Sequence, residues 1–235
     1  MLKAALEKYN ENLKAALAFA ILLIFMPVFY ILNSTTITST NIFWNYIANP
    51  GELMFSVMAI FAFFAIASAL HATIIFATKK SLAEAREQSF IAELPRYSLQ
   101  IFLYYVLVTM LCFGIVMLFP TLPTIVIAII LFVFLMFVPQ SIVVEENNLL
   151  TAILNSAEFV KKNSLLTIWI VVVCSLLTVL AAVFEFALDI IFYALNIELK
   201  GAIFSAIIIL LFVIPYTETL KSIAYMKKFE LLVPE

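Results

Sequence analysis

The chain has 235 residues, of which 66% are hydrophobic and 12% are charged. This composition lies far outside the range of soluble domains and indicates an integral membrane protein. The formal net charge is only −2, and we expect no nucleic-acid partner.

Six long apolar runs follow one another along the chain. About 20 apolar residues in a helix are needed to cross roughly 30 Å of hydrocarbon. The runs are continuous, whereas strands of membrane barrels alternate in polarity over about ten residues. The sequence therefore predicts an all-α, polytopic protein with a single membrane domain over residues 1–235. The predicted spans cover about 15–33, 53–78, 98–119, 123–144, 165–186 and 202–220, and they pair as three hairpins.

The lysine and arginine residues predict the orientation of the chain. Basic residues near short loops are retained on the cytoplasmic side of a membrane. With the N-terminus inside, twelve of the thirteen basic residues face the cytoplasm, and only Lys200 lies outside. We therefore expect a multi-pass protein of the cell membrane with both termini in the cytoplasm.

Amphipathic segments precede the three odd-numbered spans. They are residues 2–13, residues 81–98, which we expect to be broken at Pro95, and residues 148–162. The third segment is typical of a helix lying in a membrane interface. Its predicted apolar face consists of Leu149, Leu150, Ile153, Leu154, Ala157 and Val160. Lys161 and Lys162 follow at its end, and we expect them to bind anionic lipid headgroups.

The predicted outer side holds a Ser/Thr-rich segment, NSTTITSTN, at residues 33–41. Asn33 begins an acceptor triplet for N-glycosylation. Such triplets arise often by chance, and this one lies close to the bilayer. We interpret it as an ordinary loop.

One segment resembles a known family. PQSIVVEENNLLTAILNSAEFVKKNSLLTIWIVVV, residues 139–173, resembles the central part of a multi-span membrane domain. That domain is attached to some glycerophosphodiester phosphodiesterases and also occurs in related stand-alone membrane proteins. The features that carry the likeness are Pro139, Val143, Val144, Glu145, Ser156, Lys162 and Asn163. The resemblance implies six helices with cytoplasmic surface helices. It does not imply phosphodiesterase activity, because this chain has no counterpart of the soluble catalytic barrel.

Polar residues inside the predicted spans are candidates for a binding site, because ionisable groups in hydrocarbon are costly. A polar vestibule open to the cytoplasm would be lined by His71, Gln140, Ser141, Tyr216, Thr217 and Glu218. Pro139 and Pro215 lie beside these residues, and each proline frees a carbonyl one turn earlier. The alternative is that each residue simply lies near the water interface, where polar side chains are common.

Glu185 and Asp189 are four residues apart and therefore share one helical face. They suit either a cation or proton site, or the wet outer end of a span that overshoots the bilayer. We favour the second interpretation.

Enzyme signatures are missing from the sequence. The single histidine has no HExxH context, no GxSxG motif is present, and three glycines are too few for phosphate-cradling loops. We therefore predict no catalytic residue, no cofactor and no metal site. The cysteines, Cys112 and Cys174, lie within spans and are interpreted as small apolar residues.

Two functions fit these observations. The first is a non-enzymatic scaffold or membrane-homeostasis factor of the envelope, whose surface helices bind anionic lipid or a cytoplasmic protein. The second is a carrier or permease-like subunit for a small amphiphile or lipid that uses the vestibule. Dry packing beneath Pro139 and Pro215 would favour the first function, and a hydrated cavity there would favour the second.

Overall fold

The structure, a computed structural model, describes residues 1–25, 50–83, 90–118, 122–196 and 201–227. Every regular element within these ranges is a helix. The elements are α1 (Leu2–Glu11), α2 (Leu13–Leu17), a 3-10 helix (Ala18–Phe25), α3 (Pro50–Ala83), α4 (Phe90–Leu118), α5 (Leu122–Leu135), α6 (Val138–Val144), α7 (Leu149–Lys162), α8 (Ser164–Ala194), α9 (Gly201–Ile208), a π helix (Ile209–Val213) and α10 (Ile214–Met226).

Five helical stretches in the described part are long and apolar enough to cross a membrane. They are Val57–Leu82, Ala92–Cys112, Leu122–Val144, Ser164–Ala194 and Gly201–Met226. The prediction of a multi-pass, all-helical membrane protein is therefore confirmed.

The first predicted span, about 15–33, is described only in part. Leu13–Phe25 forms a shorter apolar helix, and the rest of the run lies outside the described residues. Asn33 and Lys200 also lie outside them. The count of six spans and the orientation therefore stay predictions.

The predicted break at Pro95 is wrong. Helix α4 begins at Phe90 and runs through Pro95 without interruption to Leu118. A proline near the start of a helix removes only one backbone hydrogen bond. The apolar residues that follow, such as Ile101 and Tyr104, are buried and continue the helix. The third span accordingly starts about one and a half turns earlier than predicted, at Ala92 rather than near residue 98.

Burial is concentrated in α6 and α10, and these two helices position the site. All seven residues of α6 are buried, and α6 packs against α3, α4, α7 and α10. Helix α10 packs against α1, α3 and α6. By contrast, α8 buries only Thr167, Ile170 and Ala181 over its whole length. Its other faces carry exposed apolar side chains, as expected of a helix that faces lipid.

Helix α7 has three faces instead of the two that its sequence predicts. Its helical form is confirmed, but the buried residues are Ala152, Ser156, Phe159 and Val160, and of these only Val160 belongs to the predicted apolar face. These four residues pack α7 against α5 and α6. The apolar edge beside them remains uncovered, since Leu150 is 76% exposed and Leu154 is 69% exposed. The third face is polar.

Candidate functional site

A break between α5 and α6 forms the first wall of the site. Pro139 has no N–H to donate to the carbonyl of Leu135, one turn earlier. The hydroxyl of Tyr104, from α4, donates to that carbonyl at 2.9 Å. An unpaired buried carbonyl would be costly in hydrocarbon. Tyr104 therefore makes this helix break tolerable inside the membrane.

Ser156 satisfies two further backbone groups at the same break. Its hydroxyl donates to the carbonyl of Phe134 at 2.8 Å and accepts from the N–H of Phe137 at 3.2 Å. One serine of the surface helix α7 thus bridges the end of α5 and the start of α6. It fixes α7 beneath the broken span.

A second break has the same construction in the last span. The π helix Ile209–Val213 precedes Pro215, which leaves the carbonyl of Leu211 without its usual donor. The hydroxyl of Tyr9, from α1, donates to that carbonyl at 2.8 Å. Burial raises the pKa of the Tyr9 hydroxyl, so the proton that makes this bond is retained. The N-terminal helix is thereby attached to the broken span.

A buried ionic cluster lies between the two breaks. It consists of Glu218 and Lys221 on α10, His71 on α3 and Gln140 on α6. Lys221 Nζ lies 2.5 Å from Glu218 Oε1, and Gln140 Nε2 donates to Glu218 Oε2 at 2.7 Å. Both Gln140 and Glu218 are buried. One carboxylate therefore joins helices that are distant in sequence.

The ring of His71 is held in a fixed orientation. Its Nδ1 lies 2.7 Å from the carbonyl oxygen of Ala67, and because a carbonyl only accepts, Nδ1 carries a proton. Phe19 and Tyr105 contact the ring edge-on, with centroids 5.3 and 5.5 Å away. Nε2 then faces Glu218 Oε1 at 3.7 Å, which is longer than a hydrogen bond.

A cavity of about 530 Å³ adjoins this cluster. Its walls come from α3, α4, α5, α8, α10 and the 3-10 helix, and they are mostly aliphatic and aromatic. Charged or ionisable groups in this lining come from His71, Glu218 and Lys221, and Pro139 borders the cavity as well. Residues with hydroxyl groups also line it, namely Tyr104, Tyr105, Ser175 and Thr217. The arrangement resembles small-molecule sites in general, which combine apolar walls with a few convergent polar groups.

Four of the six predicted vestibule residues come together here. His71, Thr217 and Glu218 line the cavity, and Gln140 reaches it through its bond to Glu218. The other two do not belong to the site. Tyr216 stacks on Phe212 and lies near Tyr9 on the far side of α10, while Ser141 takes part in a separate cluster around Glu145.

Sequence reasoning missed Lys221 and the two tyrosines of α4. In the sequence, Lys221 counts only as one of the twelve basic residues expected on the cytoplasmic side, although it follows Glu218 by three residues and so lies on the same helical face. That spacing could have revealed it. Tyr104 and Tyr105 carry no such signal, because only the packing of α4 against α3 and α5 brings them to the cavity.

The cluster around Glu145 joins the loop after α6 to its neighbours. Tyr225 donates to Glu145 Oε1 at 2.8 Å, and the side-chain amides of Asn147 and Asn155 donate to Oε2. Ser141 accepts from Asn147 at 3.1 Å. These bonds orient α7 and the end of α10 relative to α6, and the cluster is structural.

Several basic side chains meet at the same end of the bundle. Lys79 contacts Glu146 Oε1 at 3.1 Å, and Arg96 donates to the carbonyl of Glu146 at 3.2 Å. Lys8 donates to the carbonyl of Ser81 at 3.1 Å. We call this end, formed by Lys8, Lys79, Arg96 and the loop around Glu146, the basic end.

Lys161 and Lys162, predicted to contact the membrane surface, lie in the last turn of α7 and are exposed. Lys162 pairs with Glu158 at 2.6 Å, one turn earlier on the same helix. Both lysines lie in the last turn of the helix whose earlier turns carry the exposed Leu150 and Leu154.

Glu185 and Asp189 have structural partners. Asp189 accepts from the N–H of Gly201 at 2.7 Å, at the first residue of α9. Glu185 accepts from the hydroxyl of Ser205 at 2.6 Å. Carboxylates are favoured at a helix N-terminus. The two acids therefore join α8 to α9 at the end of the bundle opposite the basic end.

Within the described ranges, no group of three or more His, Cys, Asp or Glu residues is arranged to hold a metal ion. Cys112 and Cys174 are both free thiols. No family model, curated protein or solved structure matches this chain. The likeness of residues 139–173 to a known membrane domain therefore stays an expectation.

Proposed function

We propose that this chain is a six-span protein of the cell membrane that binds a small amphiphile or lipid and acts as a carrier or permease-like subunit. Both termini are cytoplasmic in this proposal, and the protein is not an enzyme. One observation carries it, which is the cavity of about 530 Å³ with an ionic cluster in a mostly apolar lining. An apolar chain fits the walls and a polar head fits the cluster.

Two physical arguments support binding over a scaffold role for this part of the molecule. A scaffold is expected to pack tightly beneath Pro139, yet Pro139 borders the cavity. Moreover, a buried ion pair is often no more stabilising than well-packed apolar residues of the same volume. Stability alone therefore does not explain the ion pair beside the cavity. Contact between the ion pair and a bound ligand does explain it.

The binding proposal is tested by filling the cavity. Val171 lines it, whereas the neighbouring Val172 is 58% exposed on the outer surface of α8. The Val171→Phe variant should lose lipids that co-purify with the wild-type protein, measured by native mass spectrometry from mild detergent. The matched Val172→Phe variant should retain them. Equal lipid content in the two variants would contradict a ligand site in the cavity.

A second candidate function rests on α7. Its exposed leucines, Leu150 and Leu154, share one helix with the exposed Lys161 and Lys162, a combination suited to the interface of an anionic membrane. This supports a scaffold or membrane-homeostasis role in which α7 contacts anionic headgroups or a cytoplasmic protein. The resemblance of residues 139–173 to a multi-span domain is compatible with either function, since it concerns the fold.

Charge reversal on α7 tests this second candidate. A peptide of residues 145–164 with Lys161→Glu and Lys162→Glu should bind anionic vesicles at least about 30-fold more weakly than the unchanged peptide. Each lysine contributes about 1 kcal/mol near an anionic surface, and 1.4 kcal/mol corresponds to a tenfold change. Vesicles of phosphatidylcholine alone serve as the control. Equal binding of both peptides to anionic vesicles would rule out the headgroup contact.

A further inference from the structure

The polar groups in the cavity restrict the chemistry of its ligand, because their charges balance. Glu218 and Lys221 are 2.5 Å apart and form one carboxylate–ammonium pair. Such a pair has no net charge, and at a distance its two fields largely cancel. A charged ligand head would lose its hydration on entering, and its attraction to one charge of the pair would be offset by repulsion from the other. The site therefore favours an uncharged head.

The same groups offer both hydrogen-bond acceptors and a donor to the cavity. His71 uses its Nδ1 proton on Ala67. A protonated Nε2 would be expected to donate to the nearby Glu218, but it lies beyond hydrogen-bond distance of that carboxylate, so we take the ring as neutral with a lone pair on Nε2. That lone pair faces Glu218 Oε1 at 3.7 Å. Nε2 of His71 and Oε1 of Glu218 are thus two neighbouring acceptors, and a ligand group that donates a hydrogen bond would satisfy one of them. Lys221 has three protons, and among the described residues its ammonium contacts Glu218 and the carbonyl of Met136.

A hydroxyl matches this arrangement, since it donates one proton and accepts others. We propose, building on the binding function above, that the ligand is an uncharged lipid alcohol. Its hydroxyl donates to Glu218 or to Nε2 of His71 and accepts from Lys221. Its hydrocarbon chain lies along the apolar walls, beside residues such as Phe132 and Val171.

Lipids with a charged head, either a carboxylate or an ammonium, fit the site less well than the alcohol. A fatty-acid carboxylate is attracted by Lys221 but repelled by Glu218. An alkylammonium is attracted by Glu218 but repelled by Lys221. In either case the existing ion pair would have to separate inside a cavity with mostly apolar walls, which the alcohol does not require.

The test compares three lipid probes that differ only in their heads. Each carries the same photoreactive hydrocarbon chain and ends in a hydroxyl, a carboxylate or a primary amine. The full chain is placed in phosphatidylcholine nanodiscs, and labelled residues are mapped by mass spectrometry. The alcohol probe should label cavity residues about tenfold more than the other two, a ratio that 1.4 kcal/mol of selectivity produces. The Val171→Phe variant should abolish this labelling, and Val172→Phe should not.

Two single substitutions should reverse the selectivity in opposite directions. Glu218→Gln leaves the ammonium of Lys221 and should favour the carboxylate probe, whereas Lys221→Gln leaves the carboxylate and should favour the amine. The double variant, Glu218→Gln with Lys221→Gln, should again favour the alcohol. Where a single variant does not fold, the selectivity of the wild-type protein decides the question.

The outcomes separate the two proposals. Stronger cavity labelling by the carboxylate or amine probe, or equal labelling by all three, would overturn the alcohol assignment and leave amphiphile binding intact. Failure of every probe to label the cavity would overturn both. Competition of the alcohol probe with a straight-chain alcohol, an isoprenoid alcohol and a diacylglycerol identifies the type of hydrocarbon chain. If none of the three reduces labelling by the alcohol probe, this result also contradicts the alcohol assignment.

Discussion

Tyrosine hydroxyls and prolines are coupled in pairs in this protein. Tyr104 donates to the carbonyl freed by Pro139, and Tyr9 donates to the carbonyl freed by Pro215. Within a membrane no water is present to replace these donors. Each proline can therefore interrupt a span only because another helix supplies a hydroxyl. The breaks in turn leave room for the cavity beside α6 and α10.

This coupling predicts the effect of removing one hydroxyl. The Tyr104→Phe variant leaves the buried carbonyl of Leu135 without a donor and should lower the free energy of unfolding by about 1–3 kcal/mol. Adding Pro139→Ala supplies an N–H to the same carbonyl and should recover part of the loss. Thermal unfolding in detergent, followed by intrinsic fluorescence, measures both variants.

Tyr193 provides the control for this prediction, because it is 87% exposed near the end of α8. Tyr193→Phe should leave the unfolding temperature unchanged. Identical unfolding temperatures for Tyr104→Phe and the wild-type protein would show that the carbonyl of Leu135 does not depend on the hydroxyl.

The sequence alone identifies single residues of the site but not their pairing. His71 and Glu218 are separate candidates, as ionisable residues within spans, and nothing in their spacing indicates which helices touch. Pro139 and Pro215 were correctly expected to free carbonyls. Their donors, Tyr104 and Tyr9, lie 31 and 202 residues from the carbonyls that they bind. Such distant partners follow from packing and not from periodicity.

For helix α7 as well, the sequence predicts the element but not how its faces pack. Its period of 3.6 residues predicts a helix with an apolar face, and the structure contains that helix. The period does not reveal that Ala152 and Ser156 pack on the protein while Leu150 and Leu154 stay exposed. The predicted break at Pro95 failed for a related reason, since packing of the residues that follow it outweighs one lost hydrogen bond.

The junction between α8 and α9 depends on a glycine. A methyl group at Gly201 would lie 2.5 Å from the main-chain oxygen of Glu185 and 3.0 Å from Asp189 Oδ1. Because backbone cannot easily move away, Gly201→Ala should separate α9 from α8. Overpacking of this kind costs about 1–3 kcal/mol.

Gly114 gives a matched control, because a methyl group there meets nothing within 4 Å. Gly114→Ala should be neutral or stabilise the helix by up to about 1 kcal/mol. The measurement is again the unfolding temperature in detergent. Equal destabilisation by both substitutions would show that the contact with Glu185 is not what requires glycine at position 201.

At the scale of the whole molecule, the described residues place different charges at the two ends. At the basic end, Lys79 and Arg96 contact Glu146, and Lys8 contacts the carbonyl of Ser81. At the opposite end, Glu185 and Asp189 join α8 to α9. Basic residues near the ends of spans are retained on the cytoplasmic side, while acidic residues have little influence. This asymmetry predicts that the basic end faces the cytoplasm, so that the ionic cluster lies nearer the inner leaflet.

Labelling of single cysteines in intact cells tests this orientation. The background variant replaces the native thiols with alanine, Cys112→Ala and Cys174→Ala. Glu158→Cys places a thiol on the exposed part of α7, the helix that follows the loop at the basic end, and Tyr193→Cys places one near the opposite end. A membrane-impermeant maleimide should modify only the Tyr193→Cys variant before permeabilisation and both variants afterwards. Labelling of Glu158→Cys in intact cells would reverse the topology and would place the polar groups of the cavity nearer the outer leaflet, where a carrier would take up its ligand from the other side.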